Sequence, residues 1–254
     1  MRVTLLGTGT SQGVPVIACD CKVCKSGDPK DSRLRCSVLI EYDSNNYVID
    51  SGPDFRQQML RHKVKSLSGI IFTHEHKDHV AGLDDVRAFN YQSKKDMDIY
   101  CDANVEAKLK VEFGYAFGEN TYPGVPKLNI IPISKEPFSL NNGLPVIPIE
   151  VLHYKLPVLA FRFGDFTYIT DAKTVSEEEK DKIKGTKVLI VNALRKEPHL
   201  SHFTLDEALA FIEELKPERA YLTHISHLFG THSEIEDLLP ENVFVAYDGM
   251  EIEL

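Results

Sequence analysis

Residues 73–79 read Thr-His-Glu-His-Lys-Asp-His and directly follow the apolar segment 67–72, which is typical of a buried strand. Three imidazoles and two carboxylates are thereby concentrated after one strand. Imidazole and carboxylate suit zinc, iron and manganese, and a strand end that leads into a loop holds them rigidly. A histidine-rich surface turn is the alternative interpretation. The H-x-H-x-D-H spacing after an apolar strand favours the metal site.

Length and composition indicate one α/β domain. The chain has 254 residues, of which 43% are hydrophobic, so it can bury a full core, and we expect a single domain over 1–254. No apolar run approaches the roughly 20 residues that cross a bilayer, and residues 1–7 run into glycines instead of a signal-peptide cleavage pattern. We therefore expect a cytoplasmic protein without a membrane partner. The formal net charge of −9 does not favour a long nucleic acid as partner.

A second candidate metal site lies near the N-terminus. Of the five cysteines, Cys19, Cys21 and Cys24 form overlapping C-x-C and C-x-x-C motifs. Three thiolates this close can reach one tetrahedral zinc and leave a vacancy for a fourth ligand from elsewhere in the chain. A redox pair is the alternative, but the thioredoxin-like helix start that such pairs need is not visible here. The pattern predicts a structural zinc insertion around residues 17–36.

The loop 7–13, Gly-Thr-Gly-Thr-Ser-Gln-Gly, follows the first predicted strand. Its backbone N–H groups could approach an anion, or the glycines could simply make a tight turn. The loop lacks the Gly-Lys-Ser/Thr ending of a phosphate-binding P-loop, so both interpretations remain open.

Polar side chains follow four other apolar strands, namely Asp50, His153, Asp171 and His224. Asp50 could orient a histidine ligand, or it could only cap a turn. A lone histidine such as His153 is equally consistent with a ligand and with a bystander. Together with the motif at 73–79, the strand ends supply five histidines and two aspartates in addition to Asp50, which is enough for two metals.

These residues resemble the metallo-β-lactamase superfamily, whose fold is a four-layer αββα sandwich of the α/β class and whose members are mostly dinuclear metallohydrolases. The resemblance extends over nearly the whole chain. It implies that one metal is bound by His74, His76 and His153, that a second is bound by Asp78, His79 and His224, and that Asp171 bridges them.

Within the superfamily, the Gly-Thr-Gly-Thr-Ser-x-Gly-x-Pro opening, the cysteine cluster and the His224-x-x-His227 pair are similar to the phosphodiesterase branch. The likeness is greatest to the enzymes of the carbon–phosphorus lyase pathway that act on 5-phosphoribosyl 1,2-cyclic phosphate. It implies that His227 completes the structural zinc site of the three cysteines. It also implies a homodimer.

His202 is the position that the resemblance implies for stabilising or protonating the departing oxygen, and His199 is its competitor. We favour His202 because it adjoins the start of a helix with a Thr-x-x-Glu capping box, where the helix dipole favours phosphate. Asp78 and Asp171 are the candidates for orienting the attacking group.

The predicted function is hydrolysis of a small phosphodiester by a hydroxide that bridges two divalent metals. The resemblance implies that this phosphodiester is cyclic. Two metals about 3.5–4 Å apart suit that reaction, and zinc, manganese and iron all suit these ligands. Three alternatives remain: a tRNA 3′-end processing endonuclease, whose basic substrate arm is not apparent here; a thioester hydrolase of the same fold; and a zinc-stabilised binding protein without activity.

Overall fold

Two β-sheets form the centre of the protein, and the computed structural model describes residues 1–118 and 122–254. In this part of the chain the strands are β1 Arg2–Gly7, β2 Ser37–Tyr42, β3 Asn45–Ile49, β4 Gly69–Ile71, β5 Met97–Cys101, β6 Leu128–Pro132, β7 Phe138–Ser139, β8 Pro145–His153, β9 Leu156–Phe163, β10 Phe166–Ile169, β11 Thr174–Val175, β12 Val188–Asn192, β13 Arg219–Thr223, β14 Val243–Val245 and β15 Glu251–Glu253. The first sheet has the order β15-β1-β2-β3-β4-β5-β6. The second has the order β11-β8-β9-β10-β12-β13-β14, with β7 paired to β8.

Helices cover the outer face of each sheet. Over the described residues they are α1 Phe55–Arg61, α2 Lys77–Val80, α3 Arg87–Ser93, α4 Ala103–Glu112, α5 Glu177–Ile183, α6 Leu205–Leu215 and α7 His232–Glu236, with short 3-10 helices at Pro29–Asp31, Leu83–Val86 and Gly114–Ala116. Apolar side chains of α1, α3 and α4 pack on the first sheet, and those of α5, α6 and α7 pack on the second. None of these helices has the length and apolarity needed to span a membrane.

Strand side chains alternate between two cores. In β3, Tyr47 and Ile49 join the core between the sheets, whereas Val48 packs outward with the helices. In β12, Ile190 faces the other sheet and Leu189 faces α6. Successive residues of a strand point to opposite faces of the sheet. Because apolar residues occur on both faces of these strands, both faces must be covered. The predicted αββα sandwich is confirmed.

The sequence patterns also predict a turn over 43–46, a helix over 104–117 and a strand pair over 244–254, and the structure revises all three. The turn predicted over 43–46 is a two-residue turn in which Asp43 and Ser44 both have positive φ, so β3 begins at Asn45. The helix predicted over 104–117 ends at Glu112, and a 3-10 turn follows. The strand pair predicted over 244–254 consists of two strands in different sheets, because β14 pairs with β13 and β15 pairs with β1. The connection between them is held by Asp248, which accepts hydrogen bonds from the backbone N–H groups of Thr8 and Leu34.

The sheets bring the predicted strand-end residues to one edge. Within the first sheet β3 and β4 are parallel, and within the second β10, β12 and β13 are parallel. The carboxyl ends of parallel strands meet at the same edge of a sheet. Asp50 follows β3, the 73–79 loop follows β4, Asp171 follows β10 and His224 follows β13.

Candidate metal centre

Asp171 is the residue around which the candidate site is assembled. Its Oδ1 lies 3.0 Å from His202 Nε2, and its Oδ2 lies 3.3 Å from His79 Nε2 and 3.4 Å from His224 Nδ1. The backbone of Asp171, His224 and Asp50 is left-handed, with φ of 56°, 58° and 62°. Non-glycine residues rarely adopt this conformation, which costs free energy and recurs at functional sites. The three chain segments therefore turn sharply at the point where they deliver polar side chains.

Asp50 fixes the orientation of His79. The carboxylate of Asp50 accepts hydrogen bonds from the Thr73 backbone N–H at 2.9 Å, from the Thr73 hydroxyl at 2.8 Å and from His79 Nδ1 at 2.6 Å. This contact turns His79 Nε2 toward Asp78 Oδ2, which lies 3.2 Å away, and toward Asp171. This is the geometry expected if Asp50 orients a histidine ligand, which is one of the two roles predicted for it.

His79 Nε2 is a buried ring nitrogen without a hydrogen-bond partner among the described residues. Buried polar atoms almost always have a partner, and this one faces the carboxylates of Asp78 and Asp171. A divalent cation among these atoms would satisfy all three. The donor set at this point fits a metal.

Electrostatics favour the metal-binding protonation state at Asp171, His74 and His224, but not at His79. Burial alone would raise the pKa of Asp171, but His224 and His79 hold it well below its ordinary value. Burial lowers the pKa of His224 to about 4 and that of His74 well below its usual range. Burial would also lower the pKa of His79, but Asp50, Asp171 and Asp78 raise it well above its ordinary value. Neutral His74 and His224 and an ionised Asp171 are the forms that coordinate metals.

The other predicted ligands lie beside this cluster. His74 Nε2 is 3.0 Å from His76 Nδ1, and the His153 ring centroid lies 5.3 Å from that of His76 and 6.0 Å from that of His74. His153 Nδ1 lies 2.9 Å from the carbonyl oxygen of Ser201, which can only accept, so a neutral ring has its proton on Nδ1 and Nε2 free for a ligand. All seven predicted ligands are therefore brought to one edge of the sandwich.

The close donor groups do not follow the predicted division between two metals. At this edge of the sandwich, in the part of the chain that the structure describes, ligand atoms within 4.8 Å of one another come from His74, His79 and Asp171, and from His153, Asp171 and His202. His74 was assigned with His76 and His153, yet it lies near His79, with ring centroids 4.2 Å apart. The assignment of individual ligands to two metals stays a prediction.

The two candidate catalytic histidines have different positions. His202 is 8% exposed and contacts Asp171 directly. His199 Nδ1 lies 3.2 Å from His202 Nδ1, on the side away from Asp171. The predicted capping box closes the start of α6, where Thr204 and Glu207 exchange hydrogen bonds. The geometry therefore favours His202 over His199. The backbone N–H groups of Thr204 and Glu207 already donate within the capping box, so these two groups are not free to bind a phosphate.

The predicted structural zinc ligands also meet. His227 Nδ1 lies 3.2, 3.5 and 3.6 Å from the Sγ atoms of Cys19, Cys21 and Cys24. A hydrogen bond from the backbone N–H of Cys24 lowers the pKa of the Cys21 thiol to about 6, which favours the thiolate that binds zinc, whereas burial raises the pKa of the Cys24 thiol to about 11. Three sulfurs and one imidazole nitrogen are a common tetrahedral zinc set.

Two threonines contact the site although the sequence patterns do not point to them. The hydroxyl of Thr170 donates a hydrogen bond to Asp171 Oδ2 at 2.6 Å, and the hydroxyl of Thr10 lies 3.3 Å from His224 Nε2. A usable signal is that threonine immediately precedes a predicted ligand at 73–74, 170–171 and 223–224. Thr10 belongs to the glycine loop 7–13, where the N–H groups of Gly9, Thr10 and Gly13 bond to backbone carbonyls. These three groups are therefore not free for an anion.

Comparison with known proteins identifies the family. Residues 45–225 match the β-lactamase superfamily domain. The chain is 38% identical over 254 residues to an octanoyltransferase of Porphyromonas gingivalis, covering 99% of this chain but 51% of the relative, so it spans about half of that protein. It is 25% identical to ribonuclease Z of Borreliella burgdorferi, with 89% of this chain and 93% of the relative covered.

Among solved structures, a diphosphatase of the PhnP family superposes with a TM-score of 0.93 and 37% identity, over 100% of this chain and 97% of that one. This similarity is consistent with the phosphodiesterase branch that the sequence motifs predict. The chain therefore belongs to the β-lactamase superfamily and has the metallo-β-lactamase fold.

Proposed function

We propose that the protein is a metal-dependent phosphodiesterase that hydrolyses a small, cyclic or linear, phosphodiester. The observation that carries the proposal is the simultaneous contact of Asp171 with His79, His202 and His224 at 3.0–3.4 Å. One carboxylate thereby joins candidate metal ligands to a histidine that can donate a proton. The similarity to a PhnP-family diphosphatase supports phosphorus chemistry at this site.

The residues that would hold the metals are those predicted from the sequence. One metal would be bound by His74, His76 and His153, the second by Asp78, His79 and His224, and Asp171 would contact both. Divalent metals here would supply positive charge that stabilises a phosphoryl oxygen. They would also lower the pKa of a water molecule toward neutrality, so that it could attack as hydroxide. The unpartnered Nε2 of His79 supports the second position. Cys19, Cys21, Cys24 and His227 would bind a separate structural zinc.

The chain's own contribution to the reaction centres on His202. Its Nε2 faces the site beside Asp171, so a proton held there could pass to the departing oxygen of the diester, or the ring could stabilise negative charge on the phosphate. Asp78 and Asp171 would orient the attacking group. Asp50 would act indirectly, by orienting His79.

The direct test is turnover of bis-p-nitrophenyl phosphate after reconstitution with zinc or manganese, with a chelator-treated sample as control. Cyclic nucleotides, ribose cyclic phosphates and linear diesters then define the substrate. A protein that retains metal, hydrolyses no diester and cleaves a thioester would refute the proposal. A protein with about one zinc and no hydrolase activity would instead support a binding function.

A nuclease that processes tRNA 3′ ends is the second candidate, favoured by the similarity to ribonuclease Z over most of both chains. The net charge of −9 opposes it, because binding a long polyanion relies on neutralising several phosphates. Cleavage of precursor tRNA with no turnover of small diesters would establish this alternative.

The octanoyltransferase similarity does not lead us to propose acyl transfer. This chain accounts for half of that relative. Outside the cysteine cluster, the chain's other two thiols, Cys36 and Cys101, are buried in the structure, and burial raises the pKa of each to about 12. Such thiols are poor nucleophiles.

A further inference from the structure

We propose that a basic pocket remote from the metal centre is a second ligand site, which binds the phosphate group of a mononucleotide and stacks its base on Tyr91. The proposal goes beyond the proposed function and does not depend on it, because none of the residues of this pocket belongs to the metal centre. The charge, the size and the aromatic wall of the pocket select this class of ligand.

The pocket has a volume of about 280 Å³ and lies between α3 and the segment 123–127. Four cationic side chains and no carboxylate line it, the cations being Arg87, Lys94, Lys95 and Lys127. Arg87 pairs with Asp84 at 2.6 Å, whereas the three lysines form no ion pair with any residue that the structure describes. Like charges gathered in one place repel each other, so an anion among them would be stabilised although the chain carries a net charge of −9.

Asn90 holds the segments that carry two of these lysines. This side chain is 7% exposed and also lines the pocket. Its NH₂ group donates hydrogen bonds to the carbonyl oxygens of Lys95 at 2.9 Å and Lys127 at 3.0 Å, and its oxygen accepts one from the backbone N–H of Lys127 at 3.0 Å. One buried side chain therefore fixes the backbone of both lysines before a ligand binds, which lowers the free-energy cost of binding.

Tyr91 forms an aromatic wall of the pocket. It is 56% exposed, and a methyl group at Gly124 would lie 3.3 Å from its hydroxyl oxygen. The ring therefore reaches from α3 to the turn in which the backbone N–H of Val125 donates to the carbonyl oxygen of Tyr122. A half-exposed ring beside several ammonium groups offers a stacking face for a base and positive charge for its phosphate. The volume is just below the roughly 300–1,000 Å³ of most small-molecule sites, so the ligand is small.

The pocket and the metal centre lie at opposite edges of the first sheet. Strands β4, β5 and β6 are parallel. Lys127 immediately precedes β6 and Lys95 lies two residues before β5, so the pocket is at the amino ends of these strands, whereas the 73–79 loop follows the carboxyl end of β4. A strand of five residues such as β5 is roughly 16 Å long. A ligand in the pocket would therefore not touch the catalytic metals.

Binding of AMP to the zinc-loaded protein, measured by isothermal titration calorimetry, tests the proposal. Lys94→Ala and Lys127→Ala each remove one charge from the pocket and should weaken AMP binding about tenfold. Lys216→Ala is the matched control, because Lys216 ends α6 with φ of 52° as Lys94 ends α3 with φ of 59°. The control should bind AMP as wild type does. All three variants should keep the wild-type kcat for bis-p-nitrophenyl phosphate.

A change at Tyr91 separates recognition of the base from recognition of the phosphate. Tyr91→Leu should weaken AMP binding about tenfold and the binding of inorganic phosphate less than about twofold, because only the base is stacked. Equal weakening of both ligands would overturn the stacking role. A pentaadenylate that binds at least about tenfold more tightly than AMP would overturn a mononucleotide as the ligand.

Photo-crosslinking locates the site directly. After irradiation of the zinc-loaded protein with 8-azido-AMP, we expect labelled peptides that contain Tyr91 or residues 122–127, and we expect this label to be lost in the double variant Lys94→Ala/Lys127→Ala. Label confined to peptides of the metal centre would overturn the proposal, as would AMP affinity within about twofold of wild type in both single lysine variants. If the wild-type protein turns over no diester, the proposed function fails, and the labelling still decides whether this pocket binds AMP.

Discussion

Replacing Asp50 by asparagine should weaken metal binding although Asp50 itself touches no metal in the proposed site. The carboxylate accepts hydrogen bonds from the Thr73 backbone N–H, the Thr73 hydroxyl and His79 Nδ1. Asparagine retains an oxygen for the Thr73 backbone but turns its NH₂ group toward His79. Nδ1 of His79 must then accept, so the ring proton moves to Nε2, the atom that faces Asp78 and Asp171. If the asparagine amide rotates by 180° instead, its NH₂ group faces the backbone N–H of Thr73, and two donors cannot form a hydrogen bond.

The expected size follows from this loss. Removing a hydrogen-bonding partner of a metal-bound histidine typically lowers metal affinity roughly 10- to 100-fold, or about 1.4–2.7 kcal/mol. Because Asp50 is fully buried, solvent cannot replace the lost acceptor, and we expect the upper part of this range. Competition between the protein and a chromophoric chelator for zinc at neutral pH measures the change, and circular dichroism verifies the fold.

The matched control is Asp181→Asn, at an exposed aspartate on α5 that pairs with Lys184. Its zinc affinity should equal that of wild type. If Asp50→Asn binds zinc within about twofold of wild type, the orienting role of Asp50 is wrong. If it loses the structural zinc of the cysteine cluster as well, its effect is on the fold and not on His79.

Three further predictions address the other parts of the structure. Cys21→Ser should lower zinc content by about one ion per chain and reduce thermal stability while the remaining metals still bind; unchanged zinc content by mass spectrometry would contradict the cysteine site. His202→Ala should lower kcat for bis-p-nitrophenyl phosphate roughly 100-fold with metal content unchanged, and equal turnover would remove His202 from the mechanism. Burial raises the folded-state pKa of Asp248 to about 6 from an unfolded value of about 3.9, so its contribution to stability is present below the unfolded value and is lost as pH rises through 6. In urea unfolding with chelator present, wild type should therefore lose about 2 kcal/mol relative to Asp248→Asn between pH 4 and pH 7, and parallel profiles would refute this.

The local parts of the fold and site could be predicted from the sequence. Apolar strands that end in a polar side chain identified His153, Asp171 and His224, because the strand signal and the ligand are adjacent in the chain. The capping box of α6 was readable for the same reason, since Thr204 and Glu207 are three residues apart.

Contacts between distant segments could not be read in this way. The pairing of Thr10 with His224 joins residues 214 positions apart, and that of Asp50 with His79 joins residues 29 apart. Hydrophobic periodicity gives the faces of a strand but not its partner, so β14 and β15 were expected together although they lie in different sheets. The sequence also left open whether the N–H groups of the glycine loop bind an anion. The carbonyl partners of Gly9 and Thr10 belong to Leu34 and Ile225, which are distant in the sequence.

The placement of β15 beside β1 has a consequence for biosynthesis. Arg2 pairs with Glu253 and Val3 with Ile252, so two ends of a 254-residue sequence meet in one sheet. Until residue 253 has left the ribosome, β1 has a neighbour on only one side, and its other backbone edge is open to pairing with a second chain. Contacts of such large sequence separation also form slowly. The first sheet is therefore completed only after synthesis of this region, and nascent chains are most exposed to aggregation during that interval.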